Sequence, residues 1–337
     1  MKTFEHGGQI EKFAFDLGCS VSEIIDLSSN INFVKPQINI NFNTLDISSY
    51  PTYDKLYEKI ASNYAVQTSQ IELFNGGSSA IFTLFRHLAL ETCTIYSPAY
   101  LEYKKASLNF GYELNTINRF ENINKNVKEN SLVIFVNPST PDGKYYDLEE
   151  LMQTWIEKSC TILIDESFLD FCDKPSAIKY LETYDKLYIL KSMTKFYSSA
   201  GIRVGTIVST KENIEKLKRF EPMWKLSQFD SNYLQAALDD KLFKNISKAI
   251  NIKNKIELEN ILKNSSLVEE IFESSANYLL IKLKNLSAKE FQELLKPYKI
   301  MVRDCSNFDY LNEKFVRIAV KSSSANEILQ KALNQIC

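Results

Sequence analysis

The chain has 337 residues, of which 45% are hydrophobic and 24% are charged, and its formal net charge at pH 7 is −2. This is the composition of a soluble globular chain that can build one large and one smaller domain, and its balanced charge argues against a nucleic-acid-binding protein. No apolar run reaches the ~20 residues of a membrane-spanning helix, and the first residues lack the apolar core of a signal peptide.

The cysteines and histidines limit the kinds of site that the chain can hold. The six cysteines are scattered and form no Cys-x-x-Cys motif, a pattern typical of reduced thiols in a cytoplasmic protein. They are Cys19, Cys93, Cys160, Cys172, Cys305 and Cys337. With only two histidines, His6 and His87, no metal site rich in histidine is predicted.

The N-terminal segment, residues 1–45, is predicted to be mostly irregular, with a short helix over 11–17 that ends at Gly18. Its motif His6-Gly7-Gly8 can bring an imidazole and backbone N–H groups close to an anion. The alternative is a flexible tail.

A second candidate anion site follows. Tyr50-Pro51 precedes a predicted helix over 55–64, and an apolar run over 71–74 then leads into Gly76-Gly77-Ser78-Ser79 and another helix. A glycine–serine turn that opens a helix directs free N–H groups and the positive end of the helix dipole toward an anion. Ser78 or Ser79 would also serve as a helix N-cap, and the two roles are compatible.

Short apolar runs then recur along the chain and predict buried strands. They cover residues 93–96, 132–136, 161–164, 187–190 and 206–208. Helical stretches such as 147–157 lie between some of them. This alternation predicts an α/β domain with a mostly parallel sheet covered by helices on both faces. Ligands of such sheets bind beyond the carboxyl ends of the strands.

Polar or aromatic residues follow each run and are therefore expected to converge at one edge of the sheet. They are Tyr100, Thr140 in the turn 137–143, Asp165, Ser192 and Lys195, with Arg203 before the last run. A lysine, a serine and an arginine at strand ends are the groups that hold a phosphorylated aldehyde: the lysine amine condenses with the aldehyde, and the others bind the phosphate. A solvated loop with ordinary surface charges is the alternative for this stretch alone.

The last part of the chain has a mixed pattern. Residues 211–264 are predicted to be helical, with an interruption at Pro222. Predicted strands cover 278–281, 300–303 and 315–320, and predicted helices cover 288–295, capped by Ser287, and 325–335. This pattern indicates a smaller α+β domain with an arginine, Arg303 or Arg317, on each of two strands. The predicted division is an N-terminal segment (1–45) packing at the active site with the small domain, a large cofactor-binding domain (46–222) and a small domain (223–337).

Three motifs together carry a resemblance to a known family: Ser192-Met193-Thr194-Lys195 with Arg203, Asp165-Glu166-Ser167-Phe168, and Pro98-Ala99-Tyr100. The sequence resembles the fold type I, aspartate aminotransferase-like enzymes that use pyridoxal 5′-phosphate. Over nearly the whole chain it is most similar to the branch of histidinol-phosphate aminotransferase and threonine-phosphate decarboxylase.

The resemblance implies pyridoxal 5′-phosphate as the cofactor and Lys195, Asp165 and Tyr100 as the catalytic residues. Lys195 would bind the aldehyde, Asp165 would face the pyridine nitrogen, and Tyr100 would stack on the ring. The cofactor-binding residues that the resemblance implies are Gly77, Ser78, Ser79, Tyr100, Thr140, Asp165, Ser192, Lys195, Arg203 and Tyr50. Tyr50 would reach the cofactor phosphate of a neighbouring subunit, which implies a homodimer.

Three stretches resemble the decarboxylase rather than the aminotransferase: His6-Gly7-Gly8, Ser28-Ser29-Asn30-Ile31-Asn32 and the segment 302–308. They imply a substrate phosphate surrounded by His6, Gly7, Gly8, Asn30 and Arg303, while Arg317 would hold the α-carboxylate. The implied activity is α-decarboxylation of O-phospho-L-threonine or O-phospho-L-serine. Two alternatives stay open: an aminotransferase for a phosphorylated substrate, and a catalytically silent binding protein of the same fold.

Two residues bear on the choice between these activities. Thr140 replaces an asparagine that in this family hydrogen-bonds the ring hydroxyl of the cofactor. Phe168 stands where aminotransferases of this branch often have a tyrosine, and decarboxylase-like sequences carry phenylalanine there.

Overall fold

The computed structural model of the protein describes residues 8–336. Its helices are α1 (Ile10–Leu17), α2 (Asp54–Tyr64), α3 (Gly76–Leu88), α4 (Leu101–Asn109), α5 (Glu149–Glu157), α6 (Met193–Phe196), α7 (Lys211–Lys218), α8 (Gln228–Asp239), α9 (Phe243–Lys263), α10 (Ala288–Leu295) and α11 (Ser323–Ile336). Its strands are β1 (Ile25–Asp26), β2 (Ile71–Asn75), β3 (Thr92–Ser97), β4 (Glu113–Asn118), β5 (Leu132–Val136), β6 (Thr161–Asp165), β7 (Leu187–Lys191), β8 (Val204–Val208), β9 (Val268–Ile271), β10 (Tyr278–Leu283), β11 (Ile300–Met301), β12 (Arg303–Asp304) and β13 (Phe315–Ala319).

The large sheet has seven strands in the order β2-β8-β7-β6-β5-β3-β4. Strands β3 to β7 pair in parallel, and β8 runs antiparallel to both β7 and β2. The carboxyl ends of β2, β3, β5, β6 and β7 therefore meet at one edge, together with the start of β8. The predicted mostly parallel sheet is confirmed.

Helices cover both faces of the large sheet. In β5, Leu132, Ile134 and Val136 belong to one apolar cluster, while Val133 and Phe135 belong to another on the opposite face. All five side chains are buried. Continuous apolar sequence in this strand therefore reflects burial on two sides, as expected for a strand inside a parallel sheet.

A smaller sheet, in the order β12-β13-β10-β9, forms the second layer of structure and is antiparallel. Its apolar face packs with α9, α10 and α11 around Leu279, Phe291 and Leu329. The predicted helix over 288–295 is confirmed, and the Ser287 hydroxyl caps it by accepting from the Glu290 N–H. The predicted α+β character of this part is confirmed.

Two predictions for this part were wrong. The region 211–264 is three helices, because the chain also breaks between α8 and α9, where Asp240 accepts from the Phe243 N–H. The predicted strand over 300–303 is divided: Ile300–Met301 pairs in parallel with β1, whereas Arg303–Asp304 pairs with β13.

Among residues 8–336, no helix combines the length and the apolarity that crossing a membrane requires. The same residues contain no cluster of three or more metal-ligating side chains. The five cysteines in this part of the chain are all free thiols.

Candidate active site

A cavity of about 440 Å³ lies beyond the carboxyl edge of the large sheet and reaches the small sheet. A smaller cavity of about 150 Å³ shares part of its wall. The predicted site residues that line one or both are Gly8, Asn30, Gly77, Ser78, Tyr100, Thr140, Asp165, Ser192, Lys195, Arg203, Arg303 and Arg317. The edge of the large sheet, the N-terminal segment and the small sheet together bring these twelve predicted residues to one place.

Two predicted residues within the described part of the chain, Ser79 and Tyr50, do not line these cavities. Ser79 lies in α3, one residue beyond Ser78. Tyr50 is 71% exposed and stacks on Trp224, with 4.1 Å between the ring centroids. His6 and Gly7 lie outside the described residues.

The smaller cavity has the character of an anion site. The start of α3 packs closely against the Arg203 side chain and the start of β8, and this close packing requires glycine. A β-carbon on Gly76 would lie 2.6 Å from Arg203 Nη2. One on Gly205 would lie 2.6 Å from the Gly76 carbonyl carbon. The side chains of Ser78 and Ser192 lie at the same end, and Ser78 Oγ is 3.2 Å from the Tyr100 hydroxyl. Helix N–H groups, hydroxyls and a guanidinium together suit a phosphate.

Lys195 lies in α6, just beyond the carboxyl end of β7, and its amine faces the cavity 5.2 Å from the centre of the Phe168 ring. Its Nζ has no hydrogen-bond partner among residues 8–336. Burial lowers the pKa of Lys195; the charge of Asp165 opposes this shift, whereas Arg203 and Arg317 add to it. A lysine that loses its proton more readily is a better nucleophile toward an aldehyde.

Asp165, at the end of β6, is held by three donors. The Tyr103 hydroxyl donates to Oδ2 over 2.7 Å, the Ser167 N–H donates to Oδ1 over 2.9 Å, and the Ser167 hydroxyl also donates to Oδ1. Asp165 as a whole is buried, with an exposed fraction of 4%. These bonds fix its orientation toward the cavity, which suits a partner for a protonated ring nitrogen.

The small sheet supplies two arginines from directly opposed positions. Arg303 in β12 pairs with Arg317 in β13. The Arg303 Nη2 donates to Asn307 Oδ1 over 2.8 Å, and the guanidinium lies 5.5 Å from the centre of the Phe308 ring. Arg317 donates to Thr140 Oγ1 over 3.3 Å and to the Ser28 carbonyl over 3.0 Å. Like charges at opposed positions repel, so an anion between or beside them would stabilise this arrangement.

Residues 27–32, which we call the N-terminal strap, connect the small sheet to the helix that carries Lys195. The small sheet and the residues that flank it donate to four strap carbonyls: Ala319 N to Leu27, Arg317 to Ser28, Asn277 to Asn30 and Lys321 to Ile31. At the other end, the Asn32 N–H donates to the Lys195 carbonyl over 3.0 Å, and its side chain donates to the Phe196 carbonyl over 2.7 Å.

Sequence reasoning missed Tyr103, the residue that donates to Asp165. It also missed Ala200, which lines the cavity. A signal for Tyr103 was present, because it follows Tyr100 by three residues at the start of α4, so that both side chains lie on one side of the helix.

Known proteins similar to this chain agree with the chemistry that the cavity residues suggest. Residues 24–336 match the family described as aminotransferase class I and II. The chain is 31% identical to a protein of Caldanaerobacter subterraneus subsp. tengcongensis that is provisionally named a threonine-phosphate decarboxylase, over 99% of this chain and 94% of that protein.

A further relative and a solved structure are similar to nearly the whole chain. An adenosylcobalamin biosynthesis bifunctional protein, CobDQ, of Leptospira interrogans is 30% identical over 98% of this chain, which spans only 41% of that longer protein. The crystal structure of the histidinol-phosphate aminotransferase from Clostridium acetobutylicum superposes with a TM-score of 0.83 at 27% identity. It covers 93% of this chain and 99% of that one, and it confirms the fold type I architecture.

Proposed function

The chain belongs to the aminotransferase class I and II family, and from this premise we propose that it is an α-decarboxylase of an O-phosphorylated hydroxy amino acid. Family membership confirms the predicted cofactor, pyridoxal 5′-phosphate. The proposed substrate is O-phospho-L-threonine or O-phospho-L-serine, and the products are carbon dioxide and the phosphorylated amino alcohol. The protein would act as a homodimer.

The observation that carries the proposal is the pairing of Arg303 with Arg317 beside the cavity that holds Lys195. A substrate with a carboxylate and a phosphate on either side of its amine carries two anions for these two guanidinium groups. Arg317 is the proposed partner of the carboxylate and Arg303 that of the phosphate. Arginine suits both, because its planar fork can donate two parallel hydrogen bonds to either group.

The residues of the smaller cavity fit the cofactor. Gly77, Ser78, Ser192 and Arg203 would hold its phosphate, and the unpartnered amine of Lys195 would bind its aldehyde. Asp165 would hold a proton on its ring nitrogen. When bound, the cofactor supplies an electron-accepting ring that stabilises negative charge at the substrate α-carbon.

In the proposed reaction, the side chains of the protein first orient the substrate and then transfer a proton to it. Arg317 and Arg303 would fix the substrate so that the bond from the α-carbon to the carboxylate, rather than the C–H bond, overlaps the electron-accepting system. The carboxylate leaves as carbon dioxide, and its bonding electron pair stays at the α-carbon. Lys195, on the cavity wall and carrying the proton that the substrate's ammonium group gives up, would then donate that proton to the carbon as a general acid.

A second candidate is an aminotransferase for a phosphorylated substrate. The likeness to the histidinol-phosphate aminotransferase structure, at 27% identity, favours it. The higher identity to the decarboxylase-named relative and the presence of Phe168, which matches decarboxylase-like sequences, support the first candidate.

One experiment separates the candidates. The cofactor-loaded protein is mixed with O-phospho-L-threonine, O-phospho-L-serine or histidinol phosphate, and products are identified by mass and by released carbon dioxide. We expect carbon dioxide and a phosphorylated amino alcohol from one of the first two. Accumulation of pyridoxamine phosphate with a keto acid, or with a ketone from histidinol phosphate, would instead establish the aminotransferase. Binding without any turnover would establish a silent binding protein.

A further inference from the structure

The loop that follows Arg303 orients its guanidinium. Residues 305–314 connect β12 to β13, and we call them the hairpin loop. Asn307 of this loop accepts from Arg303 Nη2 over 2.8 Å, and the ring centre of Phe308 lies 5.5 Å from the Arg303 guanidinium. Arg303 and Phe308 both line the cavity of about 440 Å³. The direction in which this cation faces the cavity therefore depends on where the hairpin loop lies.

The next two residues of the hairpin loop contact the layer of the large sheet. Lys104 Nζ, in α4, lies 2.9 Å from Asp309 Oδ1, and the side chains of this ion pair are 34% and 23% exposed. The Tyr310 hydroxyl lies 2.6 Å from Oγ1 of Thr116, in β4, and 3.3 Å from the carbonyl oxygen of the same residue. Four consecutive residues, 307–310, thus join the Arg303 guanidinium to α4 and β4.

The backbone of Tyr310 has an unusual conformation at this contact. Its φ is +63°, in the left-handed region that residues with a side chain rarely occupy. Such a conformation costs free energy and persists where the surroundings fix it. Here the hydroxyl of the same residue is held by Thr116. Docking onto β4, rather than local conformational preference, therefore determines the course of the chain at this residue.

The inner face of the hairpin loop is packed, so a shift at its tip would reach Arg303. Phe308 is 5% exposed and belongs to an apolar cluster with Leu280, Cys305 and Leu311. The Phe308 N–H also donates to the Cys305 carbonyl over 3.1 Å. A close-packed cluster transmits a displacement rather than absorbing it. Movement of the loop at Asp309 would therefore carry the Phe308 ring and the guanidinium beside it.

The helix that contacts Asp309 also lines the site where the cofactor is proposed to bind. Tyr100 directly precedes α4 and lines the cavity, and Tyr103 within α4 donates to the buried carboxylate at the end of β6. Lys104 is the next residue. Its ion pair with Asp309 therefore sets the separation between Arg303 and the wall at which the substrate amine would react.

We propose that Lys104, Asp309 and Tyr310 are positioning residues for Arg303, and that they select substrates by the distance between the α-carbon and the phosphate. With the hairpin loop docked, the guanidinium meets a phosphate carried on the β-carbon, and a phosphate one methylene farther out is disfavoured. This inference deepens the proposed function and rests on it, because it takes Arg303 as the partner of the substrate phosphate.

The test compares two isomers that differ only in where the phosphate is attached. O-phospho-L-threonine carries it on the β-carbon and O-phospho-L-homoserine on the γ-carbon. Dissociation constants for the cofactor-loaded protein are measured by rapid-mixing absorption. We expect the parent protein to bind the first isomer about tenfold tighter, since one methylene in a fitted site changes binding by this order. In Lys104→Met/Tyr310→Phe this ratio should fall at least about threefold, through a rise in the Kd of O-phospho-L-threonine.

Charge reversal tests the ion pair itself. Lys104→Glu should lower the ratio, and Lys104→Glu/Asp309→Lys, which restores the pair in the opposite sense, should recover it. Failure of the reversed pair to recover the ratio would overturn the role of this ion pair. The control is Lys105→Met, in the same helix, which removes a lysine that is 47% exposed and lies 3.9 Å from Glu102. It should change neither Kd.

Three other results would overturn the inference. If the double variant weakened both isomers equally, the hairpin loop would add only general affinity, and the proposed substrate class would stand. A parent protein that binds the two isomers equally would have the same meaning. A parent protein that binds neither isomer but binds histidinol phosphate would overturn the proposed function as well.

The visible absorption of the bound cofactor shows whether each variant is folded and loaded. Tyr310→Phe alone removes a single oxygen atom, and it should lower the ratio in the same direction by a smaller factor. It provides the measurement if the double variant does not take up the cofactor. An unchanged ratio in Tyr310→Phe would then count against the proposal.

Discussion

The hydroxyl of Tyr103 donates a buried 2.7 Å hydrogen bond to Oδ2 of Asp165, behind the wall of the proposed cofactor site. Burial raises the pKa of Tyr103, and the adjacent Asp165 charge raises it further, so the phenol keeps its proton and remains the donor. The start of α4 therefore serves the site twice, through Tyr100 at the cavity and through Tyr103 behind the carboxylate.

We expect Tyr103→Phe to raise the Kd of pyridoxal 5′-phosphate about tenfold, because a hydrogen bond to a charged group is lost and Asp165 can turn. Absorption titration of the cofactor-free protein measures this. The matched control is Tyr96→Phe, since the Tyr96 hydroxyl is also buried but bonds Trp155 within a core cluster. Equal losses in both variants would mean that the Tyr103 effect is only structural.

Lys191 lies four residues before Lys195, and we expect it to stabilise the fold rather than to react with the cofactor. Lys191 Nζ contacts Glu166 Oε2 in an ion pair whose side chains are 4% and 2% exposed. Lys191→Met should lower the free energy of unfolding by about 3–5 kcal/mol, because it leaves a buried carboxylate without its partner.

Urea unfolding of the cofactor-free protein measures this loss, and the double variant Lys191→Met/Glu166→Gln should recover part of it. The control is Lys282→Met, which breaks an ion pair with Glu269 whose side chains are 29% and 41% exposed. That change should cost less than about 1 kcal/mol. If both substitutions lowered the free energy of unfolding by the same amount, burial would not determine how much an ion pair contributes to stability.

The stability of the cofactor-free protein should depend on pH through Lys195. Burial lowers its pKa in the folded state below the ordinary value of 10.5, so between these two values the unfolded chain binds more protons. Stability from this group therefore rises with pH across that window. Lys195→Met should be more stable than the parent at pH 7, and the difference should shrink as the pH approaches 10.5.

Urea midpoints measured from pH 7 upward check this expectation. The exposed lysine of α10, Lys289, provides the control, and Lys289→Met should differ from the parent by the same small amount at every pH. A difference for Lys195→Met that stays constant with pH would show that the Lys195 pKa is not lowered.

Arg303 should act on the substrate phosphate and Arg317 on the carboxylate. Arg303→Gln is therefore expected to raise the Kd of O-phospho-L-threonine and of 1-aminopropan-2-yl phosphate alike, each by about tenfold or more, because both carry the phosphate. Arg317→Gln should weaken only the first ligand. The reverse pattern would exchange the two assignments, and Arg86→Gln, on the exposed side of α3, should change neither.

Tyr50 should serve the site of a neighbouring subunit. It is 71% exposed and stacks on Trp224 away from the cavity of its own chain. Tyr50→Ala and Lys195→Ala, each weakly active or inactive alone, should regain activity when they are unfolded and refolded together. A mixed dimer then has one site with Lys195 from one chain and Tyr50 from the other.

The control for this experiment is the double variant Tyr50→Ala/Lys195→Ala refolded with Lys195→Ala, which contains no functional Lys195 and should stay inactive. A protein that elutes as a monomer in gel filtration, or a mixture that regains nothing, would contradict the shared site.

The sequence predicted the interior of the large sheet well and its margins poorly. Strands such as β5 and β7 are buried on both faces, so apolar runs mark them. The edge strand β4 alternates exposed and covered residues, with Glu113 and Asn115 exposed, and was not predicted. Edge strand β9 of the small sheet, Val268–Ile271, was also missed, because its two central residues, Glu269 and Glu270, are exposed and charged.

The site could be predicted where a residue follows a strand, because parallel strands bring their carboxyl ends together. Lys195 and Asp165 are of this kind. The contact between Thr140 and Arg317 joins residues 177 positions apart, and no local pattern encodes it. The division of 300–303 between two sheets likewise depends on β1, a distant segment that pairs with Ile300.

The N-terminal strap has a consequence for motion of the small sheet. Because Arg317 donates to Ser28 at one end and Asn32 donates to the Lys195 carbonyl at the other, the Arg317 guanidinium and the backbone of Lys195 are joined by only five residues of chain. A hinge movement that carried the small sheet toward or away from the large one would pull α6 along with it. The spacing between the proposed substrate-binding guanidinium and the proposed reactive amine would thereby be conserved in any movement that opened or closed the cleft.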